Sequence, residues 1–141
     1  MAFNAAAHYA CLAMLDLALH QGDGTPVRAA DITHRNDIPG PYLLQILRSL
    51  KSAGWVRATR GSQGGYQLVA DPADISLLDI AEAVGCGETA SPCEATENTG
   101  ERALRRCWQR AVEKSRQELA KIRLSDLATE CKSQDAAMFY I

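Results

Sequence analysis

The sequence predicts a mostly α-helical fold with one small β-ribbon, and three features support this prediction. Leucine and alanine recur at helical spacing before residue 52. Residues 55–69 alternate around a glycine-rich centre, which is typical of a β-hairpin. Residues 101–121 repeat apolar side chains every three or four positions, which is typical of a long amphipathic helix.

Three helices are expected before Gly54, at residues 4–20, 27–35 and 42–51. The first is rich in alanine and leucine, which favour helices. In the second, three apolar side chains are expected to face a core: Val27, Ala30 and Ile32. The third is the most regular and carries one apolar stripe, formed by Leu43, Ile46, Leu47 and Leu50.

A two-stranded ribbon is expected next, with strands at residues 55–60 and 66–69 and a turn at 61–65. A short helix at 75–84 and a polar loop at 85–100 lead into the long helix. Three helices followed by a β-ribbon is the order of a winged helix-turn-helix domain, whose second motif helix enters the major groove of DNA.

The composition favours a soluble cytoplasmic protein. The chain has 141 residues, a hydrophobic share of 47% and a net charge of -2. It has no apolar run near the roughly 20 residues that cross a bilayer, so no membrane partner is expected. The first residues lack the basic stretch of a secretory signal. We find no nucleophile-and-base arrangement, phosphate loop or catalytic carboxylate pair, so an enzyme is not expected.

The residues expected to contact double-stranded DNA lie on the third helix and in the ribbon. They are Tyr42, Gln45, Arg48 and Lys51 on the helix, and Arg57, Arg60, Ser62 and Gln63 in the ribbon. Glutamine pairs with adenine and arginine with guanine or phosphate, and an arginine at a hairpin tip enters narrow minor grooves. The alternative is a protein-interaction module on the same scaffold, because the low isoelectric point favours it and a fold does not fix function.

Several stretches resemble the winged-helix transcription regulators that include IscR, NsrR and CymR, a group of iron–sulfur and redox-responsive proteins. They are residues 8–12, 38–47, 50–56, 60–68, 75–80 and 122–127, together with Trp108. The most specific part runs from the third helix through Gly64, Gly65 and Tyr66. The resemblance implies a homodimer that binds a near-palindromic operator and is held together by the long helix.

The resemblance also divides the chain into parts. Residues 1–72 are expected to form the winged-helix DNA-binding domain, and residues 73–100 a linking helix with a cysteine-bearing sensor loop. Residues 101–130 are expected to form the dimerisation helix, and no role is predicted for the tail at 131–141. The operator, the effector and the sign of regulation do not follow from the sequence.

The cysteines depart from the pattern of the family's cluster-binding members, which carry three closely spaced cysteines in the loop before the long helix. Here the candidates are Cys86, Cys93 and Cys107, and His8 matches a position at which some members supply a non-cysteine ligand. One hypothesis is an iron–sulfur cluster of the [2Fe–2S] type, with these residues as its iron ligands.

Two other hypotheses compete with the cluster. The loop cysteines can act as a thiol redox switch, with Cys93 as the oxidised sulfur. Alternatively they have no sensory role, and Cys107 packs near Trp108 as a small apolar residue. Structural zinc is less favoured, since no two cysteines stand two to four residues apart.

Overall fold

The computed structural model describes residues 4–20, 24–85 and 98–138. The elements are α1 (Ala5–Leu19), α2 (Ala29–Asn36), α3 (Gly40–Ser52), β1 (Val56–Thr59), β2 (Gly65–Leu68), α4 (Leu77–Ala83), α5 (Thr99–Lys121) and α6 (Leu124–Met138), with a 3-10 turn at Pro72–Asp74. The predicted fold class is confirmed, since the chain is mostly helical with one antiparallel ribbon. Within these ranges no helix is long and apolar enough to span a bilayer.

Helix α1 lies at the centre of the fold and contacts α2, α3, α4, α6 and β2. Asn4 caps its N-terminus: the side-chain oxygen of Asn4 accepts a hydrogen bond from the amide of Ala7 at 2.9 Å. Its fully buried residues are mostly small: Ala7, Ala10, Ala13, Met14 and Leu17. Alanine lets neighbouring helices approach on several sides, so α1 lacks the single apolar face of a surface helix.

Helices α2 and α3 form the helix-turn-helix. Asp37 ends α2 in the left-handed conformation, at φ 53°, and turns the chain so that Ile38 enters the core. The predicted stripe of α3 is buried as expected, in the same core as Ile32. The second helix starts later than predicted, at Ala29, and Ala30 is exposed rather than in the core.

The ribbon pairs Val56 with Leu68 and Thr59 with Gly65 in antiparallel register. Val27, predicted to be helical, instead pairs with Tyr66 through two backbone hydrogen bonds of 2.8 and 2.7 Å. Val27 is buried by this extended pairing, which a β-branched residue favours. The segment before α2 is therefore joined to the ribbon.

Helix α5 differs from the others because it has no buried residue in the described part of the chain. Asn98 caps its N-terminus: the side chain of Asn98 accepts a hydrogen bond from the amide of Glu101 at 2.8 Å. It contacts α4, and Arg116 forms an ion pair with Glu82 of that helix at 2.6 Å. Among the described residues, α5 is therefore covered mainly on the side that faces α4.

Helix α6 was not predicted from the sequence. The residues between α5 and α6 pair with those before α4: the amide of Leu77 donates to the carbonyl of Ile122 at 3.0 Å, and that of Leu124 to Ile75 at 2.9 Å. Leu124 is fully buried, and α6 packs on α1 and the Pro72–Asp74 turn. The chain therefore returns to the winged region. Helix α6 includes residues 131–138, most of the segment that the sequence predicted to be a tail.

Candidate nucleic-acid interface

Helix α3 buries one apolar stripe and exposes its other side, which is polar apart from Leu44. While its apolar stripe is buried, the four residues predicted to contact DNA are all exposed: Tyr42, Gln45, Arg48 and Lys51. At three-residue spacing they form a row across the face that points away from the core. The Tyr42 side chain is 53% exposed, and its ring centroid lies 6.1 Å from that of Tyr9 on α1.

The β1–β2 hairpin, which we call the wing, carries the other four predicted residues, and all are exposed: Arg57, Arg60, Ser62 and Gln63. The tip is shaped by glycine. A Cβ on Gly64 would lie 2.2 Å from the carbonyl oxygen of Thr59, and one on Gly65 would lie 2.5 Å from that of Val27. No larger residue fits these two positions without moving backbone.

The two wing arginines differ in their surroundings. Arg57 donates to the side-chain oxygen of Gln67 at 3.0 Å, and the amide group of Gln67 donates to the carbonyl of Gly24. Arg57 is therefore oriented by the protein itself. Arg60 is exposed beside the tip and has no such side-chain bond in the described part of the chain, so its guanidinium is available to a ligand.

A buried carboxylate on α1 fixes the position of α2. The side chain of Asp16 is 3% exposed and accepts two hydrogen bonds from Arg35, at 2.9 and 2.8 Å, and one from Asn36 at 2.9 Å. A bidentate arginine–carboxylate pair defines both distance and orientation. We call Asp16, Arg35 and Asn36 the Asp16 clamp. The sequence did not predict it, because a single aspartate in an alanine-rich helix does not reveal its distant partners.

The Asp16 clamp shifts the ionisation of its carboxylate. Burial by itself raises the pKa of Asp16, but the hydrogen bonds from Arg35 and Asn36 and the charge of Arg35 outweigh it. The pKa of Asp16 is consequently below its ordinary value, so the carboxylate stays charged and paired near neutral pH. The clamp is thus intact under physiological conditions.

Arg28 is a second residue that the sequence analysis did not assign to the site. It precedes α2, and its Nη2 donates to the carbonyl oxygen of Ser62 in the wing tip at 2.6 Å. In the sequence, nothing distinguishes Arg28 from the other arginines as a residue of the site. In the structure, Arg28 and Arg60 both line one concavity beside the wing.

Helix α5 carries the two most exposed of the large apolar side chains in the described residues. Leu104 is 66% exposed and Trp108 is 68% exposed, and they lie four residues apart on one face. Burial of a tryptophan and a leucine stabilises a contact by about 1.5–3 kcal/mol each. Exposure of both on one helix face indicates an interaction surface.

The predicted cofactor ligands are only partly described. Cys86 and Cys93 lie outside the described residues. Cys107 is exposed on α5, and His8 is exposed on α1 with its ring 5.9 Å from that of Tyr9. Among the described residues, no three histidine, cysteine, aspartate or glutamate side chains come together as a metal site would require.

Comparison with known families gives a match over nearly the whole chain. Residues 3–130 match the family described as Rrf2, iron-dependent transcriptional regulator. A relative from Synechocystis, named as a candidate HTH-type transcriptional regulator, slr0846, is 36% identical over 139 residues, which cover 97% of this chain and 94% of that protein.

Two further proteins agree with this match. The HTH-type transcriptional regulator IscR of Xenorhabdus nematophila is 34% identical over 140 residues, covering 97% of this chain and 85% of that protein. The structure of CymR, the global cysteine regulator of B. subtilis, superposes with a TM-score of 0.75 at 27% identity, covering 92% of this chain and 98% of CymR.

Proposed function

The chain belongs to the Rrf2 family of transcriptional regulators, and from this premise we propose that it is a homodimer that binds a near-palindromic DNA operator. The family consists of regulators, which confirms that the chain is not an enzyme. The observation that carries the proposal is the exposed polar face of α3 beside an arginine-bearing wing, on one helix-turn-helix frame. A DNA regulator of this kind acts in the cytoplasm.

In this proposal α3 enters the major groove and the wing reaches the adjacent minor groove. Gln45, near the start of α3, reads base edges, and Lys51, near its end, contacts the phosphate backbone. Arg60 enters the minor groove from the wing. The division of the chain follows the sequence prediction, with DNA contact in residues 1–72 and the sensor loop within 73–100.

The dimer is proposed to form through the exposed face of α5. A second copy of the same helix can cover Leu104 and Trp108 reciprocally, because a two-fold interface places the same patch on both subunits. Such an interface would set the separation of the two α3 helices. The two half-sites in the operator should then lie about one helical turn of DNA apart, or a multiple of it.

The effector site is proposed to lie in the loop before α5 and at the start of α5. The iron–sulfur hypothesis uses Cys86, Cys93 and Cys107, with His8 from the partner subunit; thiolate and imidazole are both suitable ligands for cluster iron. The second hypothesis is a thiol switch at Cys93 without a cofactor. IscR relatives favour the first, and the missing three-cysteine motif favours the second.

An absorption spectrum of anaerobically purified protein, with iron and sulfide assayed on the same sample, separates the two effector hypotheses. Visible bands with stoichiometric iron and sulfide support the cluster, and single changes of the four candidate ligands would then identify its residues. A colourless, iron-free dimer from a host with intact cluster assembly would contradict the cluster and leave the thiol switch at Cys93 or a regulator whose cysteines have no sensory role.

DNA binding is tested with duplexes enriched from a random pool by the wild-type protein. Affinity for these duplexes should fall steeply as the salt concentration rises. A plot of the logarithm of the binding constant against the logarithm of the salt concentration should have a slope of about -0.9 for each phosphate that the protein neutralises. A protein-interaction module on the same scaffold would enrich no duplex, and any weak association would not discriminate between sequences. That result would overturn the proposal.

A further inference from the structure

The wing tip is held from outside the hairpin by Arg28. Beyond the last ribbon pair, Thr59 with Gly65, the tip has an internal hydrogen bond from Gly64 to Gly61 at 3.0 Å. Arg28 adds the 2.6 Å bond to the carbonyl of Ser62. In the described ranges this is the hydrogen bond that connects the tip to the body of the domain.

The base of the wing is already fixed by backbone contacts. Val27 and Tyr66 exchange two hydrogen bonds, and Gly65 approaches the backbone of Val27 so closely that a Cβ would clash with it. Arg28 directly follows Val27 and directly precedes α2. The residues that hold the wing are therefore continuous with the helix-turn-helix, and Arg28 extends this connection from the base of the wing to its tip.

The energy of the Arg28 bond is modest, because Arg28 and Ser62 are both exposed and their interaction competes with water. Its geometric effect is larger. Ser62 is two residues from Arg60, and glycines on both sides of Ser62 and Gln63 leave the tip backbone little intrinsic stiffness. Fixing the Ser62 carbonyl limits the positions that the Arg60 backbone can take relative to α3.

We propose that Arg28 is a positioning residue for DNA recognition: it ties the wing tip to the start of α2, so that Arg60 and the α3 residues meet the duplex as one rigid unit. The inference rests on the proposed function. Pre-ordering the tip lowers the entropy lost when the wing enters a groove, which strengthens binding without a direct contact to DNA.

A double-mutant cycle separates this role from direct phosphate binding by Arg28. Affinity for an enriched duplex is measured at physiological ionic strength for wild type, Arg28→Met, Arg60→Ala and the double variant. Arg28→Met alone should weaken binding about 3- to 10-fold, but less than about 2-fold when Arg60 is already absent. Equal losses in both backgrounds would show an independent contact and overturn the proposal.

Lys51→Met provides the matched control, because it also removes one positive charge but from the far end of α3. The fold-loss in affinity of the double variant Lys51→Met/Arg60→Ala should equal the product of the two single fold-losses, since the two residues reach DNA independently. Coupling of Lys51 to Arg60 as strong as that of Arg28 would mean that any lost charge produces the effect, and the proposal would fall.

Footprinting distinguishes the positioning role of Arg28 from a general loss of folding, because it reports protection of the major and minor grooves separately. Arg28→Met should keep the major-groove protection given by α3 and lose minor-groove protection under the wing, with an unfolding midpoint close to that of wild type. Parallel loss of both protections would contradict the proposal. If wild type itself enriches no duplex, the proposed function fails as well; if wild type binds and only the coupling is missing, Arg28 alone was misassigned.

Discussion

From α1 to the wing, each helix buries apolar side chains against its own chain, whereas α5 buries none in the described residues. Helices α3 and α5 both repeat apolar residues at helical spacing, but the apolar residues of α3 are buried and those of α5 are not. The winged region is complete in one subunit and is held by the Asp16 clamp. Helix α5 exposes Leu104 and Trp108. This contrast supports the proposal that one region reads DNA and the other pairs with a second subunit.

The largest effect is expected from breaking the exposed face of α5. Trp108→Asp should dissociate the dimer, raising the dimer dissociation constant about 30- to 1000-fold, because a central tryptophan in an interface contributes about 2–4 kcal/mol. Sedimentation velocity checks this. The side chain is 68% exposed in the single chain, so the variant should fold.

Gln109→Asp is the matched control for that experiment, since Gln109 is exposed on α5 away from the line of Leu104 and Trp108. It should remain a dimer. A Trp108→Asp protein that is still fully dimeric would place the interface elsewhere and remove the contrast between the two regions.

The next effect in size tests the completeness of the winged region. Asp16→Ala removes three hydrogen bonds and should lower the free energy of unfolding by about 2–3 kcal/mol. The loss is below that of a fully buried ion pair, because Arg35 is 38% exposed and can return to water. Denaturant unfolding measures it.

Asp31→Ala serves as the control for the clamp, because Asp31 is an exposed acid in the first turn of α2. Its loss should cost less than about 1 kcal/mol. Equal effects of the two substitutions would show that the Asp16 clamp has no special role in fixing α2.

A third prediction concerns DNA contact. Arg60→Ala should weaken binding to an enriched duplex about 10- to 100-fold, because it removes the proposed minor-groove contact from both wings. Arg123→Ala, an exposed arginine between α5 and α6, should change affinity less than about 2-fold. Fluorescence anisotropy at fixed salt compares them, and similar losses in both variants would mean that net charge alone matters.

The smallest effect is a pH dependence of the clamp. The pKa of Asp16 is lowered in the folded protein, so its stabilisation is present above the unfolded value of about 3.9 and is lost as pH falls through the folded value. The stability difference between wild type and Asp16→Asn should therefore shrink as acidic solution protonates Asp16. A difference that grows on acidification would contradict the assigned direction.

Periodicity explains which parts of the fold were predictable. The stripe of α3 and the alternation of the wing are local patterns, and both were predicted with nearly the observed boundaries. Val27 was misassigned because its partner, Tyr66, is distant in sequence. Helix α6 was missed because its sequence is largely polar, and its contact with α1 is a tertiary one.

The sequence predicted the residues of the candidate site that face solvent, but not those that contact distant parts of the chain. The eight predicted DNA-contacting residues are all exposed on α3 or the wing, although their contacts stay a prediction. Arg28 and the Asp16 clamp act through partners 34 and 19 to 20 residues away, and no local pattern reveals such pairs. The cofactor hypothesis depends on Cys86 and Cys93, which lie outside the described residues.

The symmetry of the preferred DNA site tests the central claim most directly, since it requires both a winged region that reads bases and an α5 that pairs two subunits. Wild-type protein is used to enrich duplexes from a pool with roughly 30 random base pairs, and the selected sequences are aligned. The account predicts two inverted half-sites with centres about 10 base pairs apart, or a multiple of that spacing. A single unrepeated half-site, or no enrichment, would contradict it.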